Sequence, residues 1–393
     1  MKYCILIIDG ASGWPLSEHG GKTCLELAHT PNLDVMAKES VLGLARTIPE
    51  DMEPSSACAC VSILGYDPKI YYQGRSAIEA ESMSIPIEDG EVVFRCNLVA
   101  VRDGKMWSYS SGHISTSETQ ELIAALNKSL GNDKVGFYLG VSYRHICKIK
   151  GHKDALLATC TPPHDIPGKP INEFLPWGPG SDVLRELMAR SEIVLRNHPI
   201  NVVRSSRGDI PATMIWLFWG SAKILDISAF KQLYGLDAAL TSGVDLLRGL
   251  ARMVEMKVLN IPGVTDNLDN DYAAQAGALE SLKGHDMVII HVEAPDEAAH
   301  AGSIDDKIEA IHKVDIEIVS RLRSWDKDAL RVLVMPDHAT PIKVQTHVAD
   351  PVPFMLWGPG FIANGAKRFT EAEAKGTGFL IEQGYNIMSR LIR

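Results

Sequence analysis

The sequence lacks any long apolar segment, any basic cluster and any signal of secretion. No stretch approaches the roughly 20 consecutive apolar residues that a membrane-spanning helix requires, and the short apolar run at its start ends in Asp9. No patch of Lys and Arg stands out, and the formal net charge is −10, which argues against a nucleic-acid partner. We therefore expect a cytoplasmic protein that binds neither a membrane nor nucleic acid.

The seven cysteines lack both the paired spacing of a zinc module and the C-x-x-C of a redox motif. Cys58 and Cys60 are separated by a single residue, and the total is odd. We expect the cysteines to be small buried residues in a reducing compartment. The sequence also contains no internal repeat and no low-complexity segment, so neither a solenoid nor a disordered chain is expected.

Three short apolar runs share one layout, since each leads into an acidic residue. They span residues 3–8, 285–292 and 330–335, and they precede Asp9, Asp296 and Asp337. Such runs suit the central strands of a parallel sheet that is covered on both faces. A segment of helical periodicity at 305–323 separates the last two runs, which predicts a strand–helix–strand crossover.

The middle of the chain has shorter apolar runs, separated by turns and proline-rich stretches. Strands are predicted there at 92–101, 135–139, 145–149 and 155–159. Because 393 residues are more than one core usually organises, we expect a smaller α+β domain inserted into a larger α/β domain. The prediction assigns residues 1–75 and 213–393 to a mainly parallel sheet sandwiched by helices, and residues 76–212 to the insert.

Metal-ligating side chains follow the predicted strand ends. Asp296 and His300 are four residues apart, so they share one face if a helix begins after Pro295. Asp337 and His338 are adjacent on a loop that leaves a strand. Taken singly, each histidine is more often a structural residue, and each acid–histidine pair a surface pair.

The joint pattern favours a metal centre over these single readings. The carboxyl ends of parallel strands meet at one edge of a sheet, so Asp9, Asp296 and Asp337 should converge there. His347 follows in Gln345-Thr346-His347-Val348. Three aspartates and three histidines exceed the ligands of one four-coordinate ion. Two divalent ions fit better, and two-metal sites stabilise the attacking and leaving oxygens of displacement at phosphorus.

A serine after a proline supplies a candidate nucleophile. In the segment from Pro54, Ser55 and Ser56 are placed to cap a helix that begins near Ala57. The N-terminus of a helix favours bound phosphate, and a hydroxyl next to a metal ion can ionise and attack phosphorus. A purely structural capping role for both serines stays open on this pattern alone.

With these residues in place, the chain resembles the archaeal type of cofactor-independent phosphoglycerate mutases, in the alkaline phosphatase superfamily. The resemblance covers almost the full length, and the motif that begins at His291 is especially specific. The matching stretches are Ile8-Asp9-Gly10, residues 27–34, residues 62–68, Tyr72-Gln73-Gly74-Arg75 with Ile78-Glu79-Ala80, residues 111–115, residues 140–145, residues 162–166 and residues 291–298.

The resemblance implies an alkaline-phosphatase-like fold and interconversion of 2- and 3-phosphoglycerate through a phosphoserine on Ser56. It implies two divalent ions, manganese, zinc or cobalt, one held by Asp9, Ser56, Asp337 and His338, the other by Asp296, His300 and His347. The insert would hold the glycerate part of a small phosphorylated hydroxy acid. The predicted substrate residues are His113, Arg144, Arg204 and Arg248. No pattern indicates the oligomeric state.

Several positions depart from the family pattern. Where the family usually reads Gly-Ser-Asp-Val-Ala-Asn, this chain reads Ser55-Ser56-Ala57-Cys58-Ala59-Cys60. Arg248 stands at the place of an expected lysine, and Thr213 at that of an asparagine. These changes keep two alternatives open: another phosphotransferase, such as a homoserine-type kinase or a phosphatase, and a non-catalytic metal-stabilised binding protein.

Overall fold

A computed structural model describes residues 1–72, 74–223, 227–326 and 328–393. The chain divides into two compact units, one formed by residues 1–72 and 226–393, and the other by residues 73–225. We call them the sheet unit and the inserted unit. No helix in the described ranges is long and apolar enough to cross a membrane.

The strands of the described residues are numbered in chain order. They are β1 Lys2–Ile8, β2 Val41–Ala45, β3 Glu91–Arg102, β4 Lys105–Ser108, β5 Val135–Tyr138, β6 Arg144–Lys150, β7 Met214–Ala222, β8 Ala238–Thr241, β9 Lys257–Val258, β10 Met287–Val292, β11 Leu330–Met335, β12 Val352–Trp357 and β13 Leu380–Ile381.

The α-helices are numbered in the same way, and a π-helical stretch, Val314–Val319, joins two of them. They are α1 Cys24–Leu27, α2 Pro31–Lys38, α3 Ser56–Ile63, α4 Pro68–Tyr71, α5 Arg75–Ser82, α6 Thr116–Leu130, α7 Ser181–Leu195, α8 Pro199–Ser206, α9 Phe230–Tyr234, α10 Asp245–Met253, α11 Tyr272–Ala276, α12 Ala294–His300, α13 Ile304–Lys313, α14 Ser320–Arg323, α15 Glu371–Gly376 and α16 Ile387–Ile392.

The sheet unit is built on one large sheet with the strand order β13-β2-β12-β11-β1-β10-β8-β9. β1 pairs in parallel with both β10 and β11, while β12 is antiparallel to its two neighbours. β10, the helical segment 304–323 and β11 thus form the predicted crossover. The fold prediction, a mainly parallel sheet with helices, is confirmed.

Alternation along the central strands explains how both faces of this sheet are covered. Cys4, Leu6 and Ile8 join the core beneath α2, α11 and α13, together with residues of the π-helical stretch. Tyr3, Ile5 and Ile7 are also buried and point to the opposite face, because successive side chains of a strand alternate. A strand buried on both faces must be apolar throughout, as β1 is.

The inserted unit has an antiparallel sheet, in which the long strand β3 pairs with β4, β6 and β7. The helices α6 and α7 pack with it around a core of its own. β7 belongs to this unit through its pairing with β3. The strand predicted at 155–159 is wrong, because that segment begins inside a 3₁₀ helix, Lys153–Leu157. Its residues, Ala-Leu-Leu-Ala-Thr, include only one β-branched side chain, so their strand propensity is weak.

Candidate active site

Three neighbouring strands carry acidic residues to one edge of the large sheet. In the register of the sheet, Ile8 of β1 pairs with Val292 of β10, and Ile7 pairs with Met335 of β11. Asp9 follows β1 directly, and Asp337 follows β11 after one residue. Asp296 lies in the first turn of α12, after β10. All three carboxylates are buried, as the convergence of parallel strand ends predicts.

Gly10 permits the close approach of these loops. Its φ is +58°, and a Cβ atom at this position would lie 2.2 Å from Asp296 Oδ1. Its N–H donates to Asp337 Oδ1 at 3.2 Å. The glycine after Asp9 is therefore required both by its left-handed backbone and by the carboxylate beside it.

Ser56 is the first residue of α3. Ser55 is the N-cap, and its hydroxyl accepts from the backbone N–H of Cys58 at 3.3 Å. The cap belongs to Ser55, which leaves the hydroxyl of Ser56 for other partners. Ser56 is half-buried, and its Oγ lies 3.1 Å from His338 Nε2.

One set of donor atoms surrounds His338 Nε2. In addition to Ser56 Oγ, Asp337 Oδ2 lies at 3.2 Å and Asp9 Oδ1 at 3.6 Å from it. Asp9, Asp337 and His338 together form a group whose ligand atoms lie within 4.8 Å of one another. We call these four residues the serine-side cluster.

A second set surrounds Asp296 Oδ2. His300 Nε2 lies at 3.0 Å and His347 Nε2 at 3.3 Å from it, and the two imidazole nitrogens are 2.9 Å apart. We call this the helix-side cluster, because Asp296 and His300 share one face of α12. His338 also groups with Asp296 and His347 within 4.8 Å, so the two clusters adjoin. The structure brings together all seven residues of the predicted metal and nucleophile site.

Hydrogen bonds at Nδ1 orient the rings of His300 and His338 so that Nε2 of each points into the site. His300 Nδ1 donates to the carbonyl of Gln345 at 2.9 Å. Thr340 Oγ1 donates to Asp296 Oδ1 at 2.5 Å and therefore accepts from His338 Nδ1 at 3.1 Å. In both rings Nδ1 carries a proton. The Nε2 atom of His338 keeps its lone pair, whereas Nε2 of His300 donates to Asp296 and gains a lone pair only when the ring loses a proton.

The buried carboxylates of the site favour the binding of a cation. Burial, and then the nearby charges of Asp337 and Asp296, raise the pKa of Asp9 well above its usual range. Asp9 Oδ1 and Asp337 Oδ2 are buried and accept no hydrogen bond from the described residues. Carboxylate oxygens and imidazole lone pairs that face one another repel unless a positive ion lies among them. The residues therefore fit a divalent metal.

The pKa values of His338 and His300, one in each cluster, are shifted in opposite directions. Burial lowers the pKa of His338 to about 4. Burial alone would lower the pKa of His300 as well, but the hydrogen bond to Asp296 and its charge raise it to about 9. For Asp296, burial opposes ionisation, yet hydrogen bonds from His300 and His347 hold its pKa well below the usual range.

His291 is a residue of the site that the sequence did not single out. Its Nε2 donates to Asp9 Oδ2 at 2.7 Å, and its Nδ1 accepts from the hydroxyl of Ser242 at 3.0 Å. The hydroxyl of Ser242 in turn accepts from the N–H of Val244, which fixes every donor in the chain. His291 thus orients Asp9, and Glu293 lies 3.6 Å from the same ring. The signal was the family motif that begins at His291.

Lys307 supports the loops of the site from α13. Its side chain is fully buried, and its ammonium group donates to the carbonyls of Ser12 at 3.1 Å and Thr340 at 2.8 Å. One loop follows β1 and the other follows β11. Lysines are almost never fully buried without a partner, and here two carbonyl oxygens take that place. A charged residue in an amphipathic helix gives no sequence signal of such burial.

Two of the predicted substrate residues, His113 and Arg144, lie near each other on the inserted unit. His113 is exposed with a φ of +53°, and its ring meets Tyr143 and Tyr109 edge-on at 6.0 and 6.4 Å. Arg144 is half-buried at the start of β6, with its guanidinium 6.0 Å from the ring of Tyr143. A histidine, an arginine and two tyrosines therefore form one surface cluster.

The guanidinium groups of Arg204 and Arg248 form hydrogen bonds with other groups of the protein. Arg204 is 5% exposed, and its guanidinium bonds Glu118 and the carbonyls of Ser111 and Ile210. Its contacts are those of a structural residue and do not support the predicted direct substrate contact. Arg248 lies on α10 of the sheet unit and donates to Asn260 at 2.6 Å.

Together, an α/β sheet with buried carboxylates and imidazoles at its edge, and a serine at a helix N-terminus, define a metal-dependent phosphoryl-transfer enzyme. Residues 37–201 match the family model of 2,3-bisphosphoglycerate-independent phosphoglycerate mutases. A mutase of this description from Methanothrix thermoacetophila is 43% identical over 396 residues, covering 100% of both chains. Another from Methanothermobacter thermautotrophicus is 44% identical over 377 residues, covering 94% of this chain and 92% of its own.

Solved structures agree with these relatives. A Pyrococcus horikoshii protein superposes with a TM-score of 0.84 at 26% identity, covering 100% of this chain and 96% of its own. The cofactor-independent phosphoglycerate mutase of Thermoplasma acidophilum superposes with a TM-score of 0.66 at 25% identity, covering 100% and 99%. The chain belongs to the 2,3-bisphosphoglycerate-independent phosphoglycerate mutase family. The predicted family and enzyme class, an isomerase, are confirmed, and no observation favours the alternative phosphotransferase.

Proposed function

We propose that this chain interconverts 2- and 3-phosphoglycerate through a phosphoserine on Ser56, at a centre of two divalent ions. The carrying observation is the 3.1 Å separation of Ser56 Oγ and His338 Nε2, within a buried group of carboxylates. A hydroxyl whose capping role is already filled by Ser55, aimed at ligand atoms, is suited to nucleophilic attack.

We assign the serine-side cluster, Asp9, Ser56, Asp337 and His338, to one ion and the helix-side cluster, Asp296, His300 and His347, to the other. Aspartate and histidine donors suit manganese, zinc and cobalt alike. Ions bound at these donors would lower the pKa of the Ser56 hydroxyl and offset the charge of the phosphoryl oxygens. The shared position of His338, within 4.8 Å of donors in both clusters, supports a pair of adjacent ions.

The reaction has two balanced halves. The O–H bond of Ser56 breaks and its Oγ forms a bond to phosphorus, while the bond from phosphorus to the glycerate oxygen breaks and that oxygen takes up a proton. After glycerate turns, its other hydroxyl loses its proton and attacks the phosphoserine. The bond from phosphorus to Oγ then breaks, and Oγ takes up a proton, which restores Ser56. In both halves, the N–H groups of Ser56 and Ala57, in the first turn of α3, are placed to donate to phosphoryl oxygens. The next N–H, that of Cys58, is not counted, because it donates to the capping hydroxyl of Ser55.

The inserted unit supplies recognition of glycerate. We assign His113 the proton exchanged with the glycerate oxygens, and Arg144 the carboxylate, which its planar fork can bind with two hydrogen bonds. Arg204 acts indirectly, because it holds the carbonyl of Ser111 at 2.9 Å, at the start of the turn that presents His113. Arg248 remains a predicted substrate residue; it keeps the positive charge of the expected lysine but cannot act as a base.

The experiment follows the phosphoryl group. Metal-loaded protein is mixed with substrate carrying ³²P, quenched in acid and mapped by peptide, and the label is expected on Ser56. Ser56→Ala should lose the label and about 10⁴-fold or more of the mutase rate. Ser55→Ala, which removes the cap and a hydrogen bond to Tyr72, should keep both. EDTA should abolish activity, and Mn²⁺, Co²⁺ or Zn²⁺ should restore it. Absence of mutase activity in metal-loaded protein, or full activity of Ser56→Ala, would contradict the proposal.

A further inference from the structure

The cysteine one helical turn after the nucleophile faces the metal centre. Cys60 lies in α3 four residues after Ser56, so both side chains lie on the same face of the helix. The residue is 1% exposed and its thiol is free.

The thiol lies close to Asp337, a residue of the serine-side cluster. Cys60 Sγ, a ring nitrogen of His291 and a carboxylate oxygen of Asp337 lie within 4.8 Å of one another. Both ring nitrogens of His291 are already engaged, with Asp9 and with Ser242. Asp337 is fully buried, and its Oδ2 accepts no hydrogen bond from the described part of the chain. Cys60 and Asp337 are thus the two members of this group with free ligand capacity.

We propose that Cys60 is a thiolate ligand of the ion held by the serine-side cluster, and that it makes this centre prefer zinc or cobalt to manganese. The inference rests on the proposed metal centre and adds one ligand to it. Thiolate sulfur is a soft donor that selects zinc over the hard ions that oxygen donors suit. As the ion binds, the S–H bond breaks, a metal–sulfur bond forms and one proton passes to solvent.

Distances allow this ligand without a change of fold. At a five-coordinate zinc ion, with ligand angles between about 90° and 120°, a sulfur at about 2.3 Å and a carboxylate oxygen at about 2.1 Å lie roughly 3 to 4 Å apart. Cys60 Sγ and the Asp337 oxygen are at most 4.8 Å apart. That distance is about 1 Å longer than a shared ion requires, and a small rotation of either side chain would shorten it by this amount. The competing explanation is that Cys60 only fills space in the core, as buried cysteines commonly do.

Cobalt substitution separates these two explanations. Co²⁺-loaded wild-type protein should show visible d–d bands, which report cobalt in the protein, together with an intense near-ultraviolet band from thiolate-to-cobalt charge transfer. Cys60→Ser and Cys60→Asn should keep the visible bands and lose the near-ultraviolet band. Cys58→Ser is the matched control, because Cys58 is equally buried in the same helix, and it should keep both.

Metal preference gives a second readout. In chelator competition, Cys60→Asn should lose about 10-fold or more in zinc affinity and change manganese affinity much less. Should both Cys60 variants fail to fold, X-ray absorption at the zinc edge of wild-type protein decides, through a sulfur neighbour at about 2.3 Å.

The outcomes that overturn the inference are distinct from those that overturn the proposed function. Visible cobalt bands without the near-ultraviolet band, or a band that survives in Cys60→Ser, would reject Cys60 as a ligand and leave the mutase centre standing. A zinc edge without a sulfur neighbour would do the same. Failure of the wild-type chain to bind cobalt at all would reject both.

Discussion

Thr340 Oγ1 donates a 2.5 Å hydrogen bond to Asp296 Oδ1 and accepts one from His338 Nδ1. One hydroxyl therefore orients a ligand from each of the two clusters. Thr340→Val keeps the shape of the side chain and removes both hydrogen bonds. Loss of such an outer partner typically costs 10–100-fold in metal affinity, so we expect a loss of about that size, measured by chelator competition.

A threonine of the inserted unit provides the control for this prediction. Thr119 is as fully buried as Thr340, and its hydroxyl donates to the carbonyl of Thr116 at 3.0 Å. Thr119→Val should therefore alter stability alone and leave metal affinity unchanged. Equal metal affinity in Thr340→Val and wild type would show that the hydroxyl does not orient the ligands.

The proton on His300 predicts how metal binding depends on pH. The pKa of this imidazole is raised to about 9 in the absence of metal, so at pH 7 the ring is protonated and must lose its proton to ligate. We expect ion binding at pH 7 to release about one proton from His300, and this release to fall to about half near pH 9. His338, with its pKa lowered to about 4, adds no release at pH 7.

Calorimetry in buffers of different ionisation enthalpy measures this release. Because other ligands also lose protons, the quantity to compare is the difference between wild type and His300→Asn, which should be close to one at pH 7 and smaller at pH 9. The affinity of the wild type should rise by up to tenfold per unit of pH between 7 and 9. A difference that is the same at both pH values would contradict the raised pKa.

Local signals in the sequence predicted the ligands, and contacts between distant segments determined their supports. Asp9 and Asp337 were recognisable because an apolar strand that ends in an acid is a local pattern. Lys307 was not, because its carbonyl partners belong to other segments and charged residues are usually exposed. The same reason applies to β7, which pairs with the distant β3 and lies beyond the boundary expected near residue 212.

The buried ammonium group of Lys307 gives the third prediction. Lys307→Met keeps the length of the side chain and leaves the carbonyls of Ser12 and Thr340 without their donor. Each unsatisfied buried acceptor costs about 1–3 kcal/mol, and Thr340 would lose its fixed position. We expect a lower free energy of unfolding and, independently, about 10-fold weaker metal binding.

The matched variant for this test is Lys313→Met. Lys313 lies on the same helix and is half-exposed, and its ammonium group has two weak contacts, with Glu309 at 3.7 Å and with the ring of Tyr272 at 5.9 Å. Its replacement should therefore change the free energy of unfolding by less than about 1 kcal/mol. A stability loss in Lys307→Met with unaltered metal affinity would assign Lys307 to the core and not to the support of the site.

A buried carboxylate in the inserted unit makes the stability of the protein depend on pH. Glu79 forms ion pairs with Arg95 and, at 2.7 Å, with Arg75. Burial would raise its pKa, but the charges of Arg95 and Arg75 lower it to about 2 from the ordinary value of 4.5. Because the folded pKa is the lower one, this stabilisation is complete above about pH 4.5 and is lost as the pH falls through 2. Glu79→Gln should therefore cost about 3 kcal/mol in free energy of unfolding at pH 7 and less than half of that at pH 3, as measured by urea denaturation.

The control for this prediction is Glu186→Gln. This substitution breaks an exposed pair with Arg190 and should cost less than about 0.5 kcal/mol at either pH. A cost for Glu79→Gln that does not change with pH would mean that lost packing, and not the charge of Glu79, destabilises the variant.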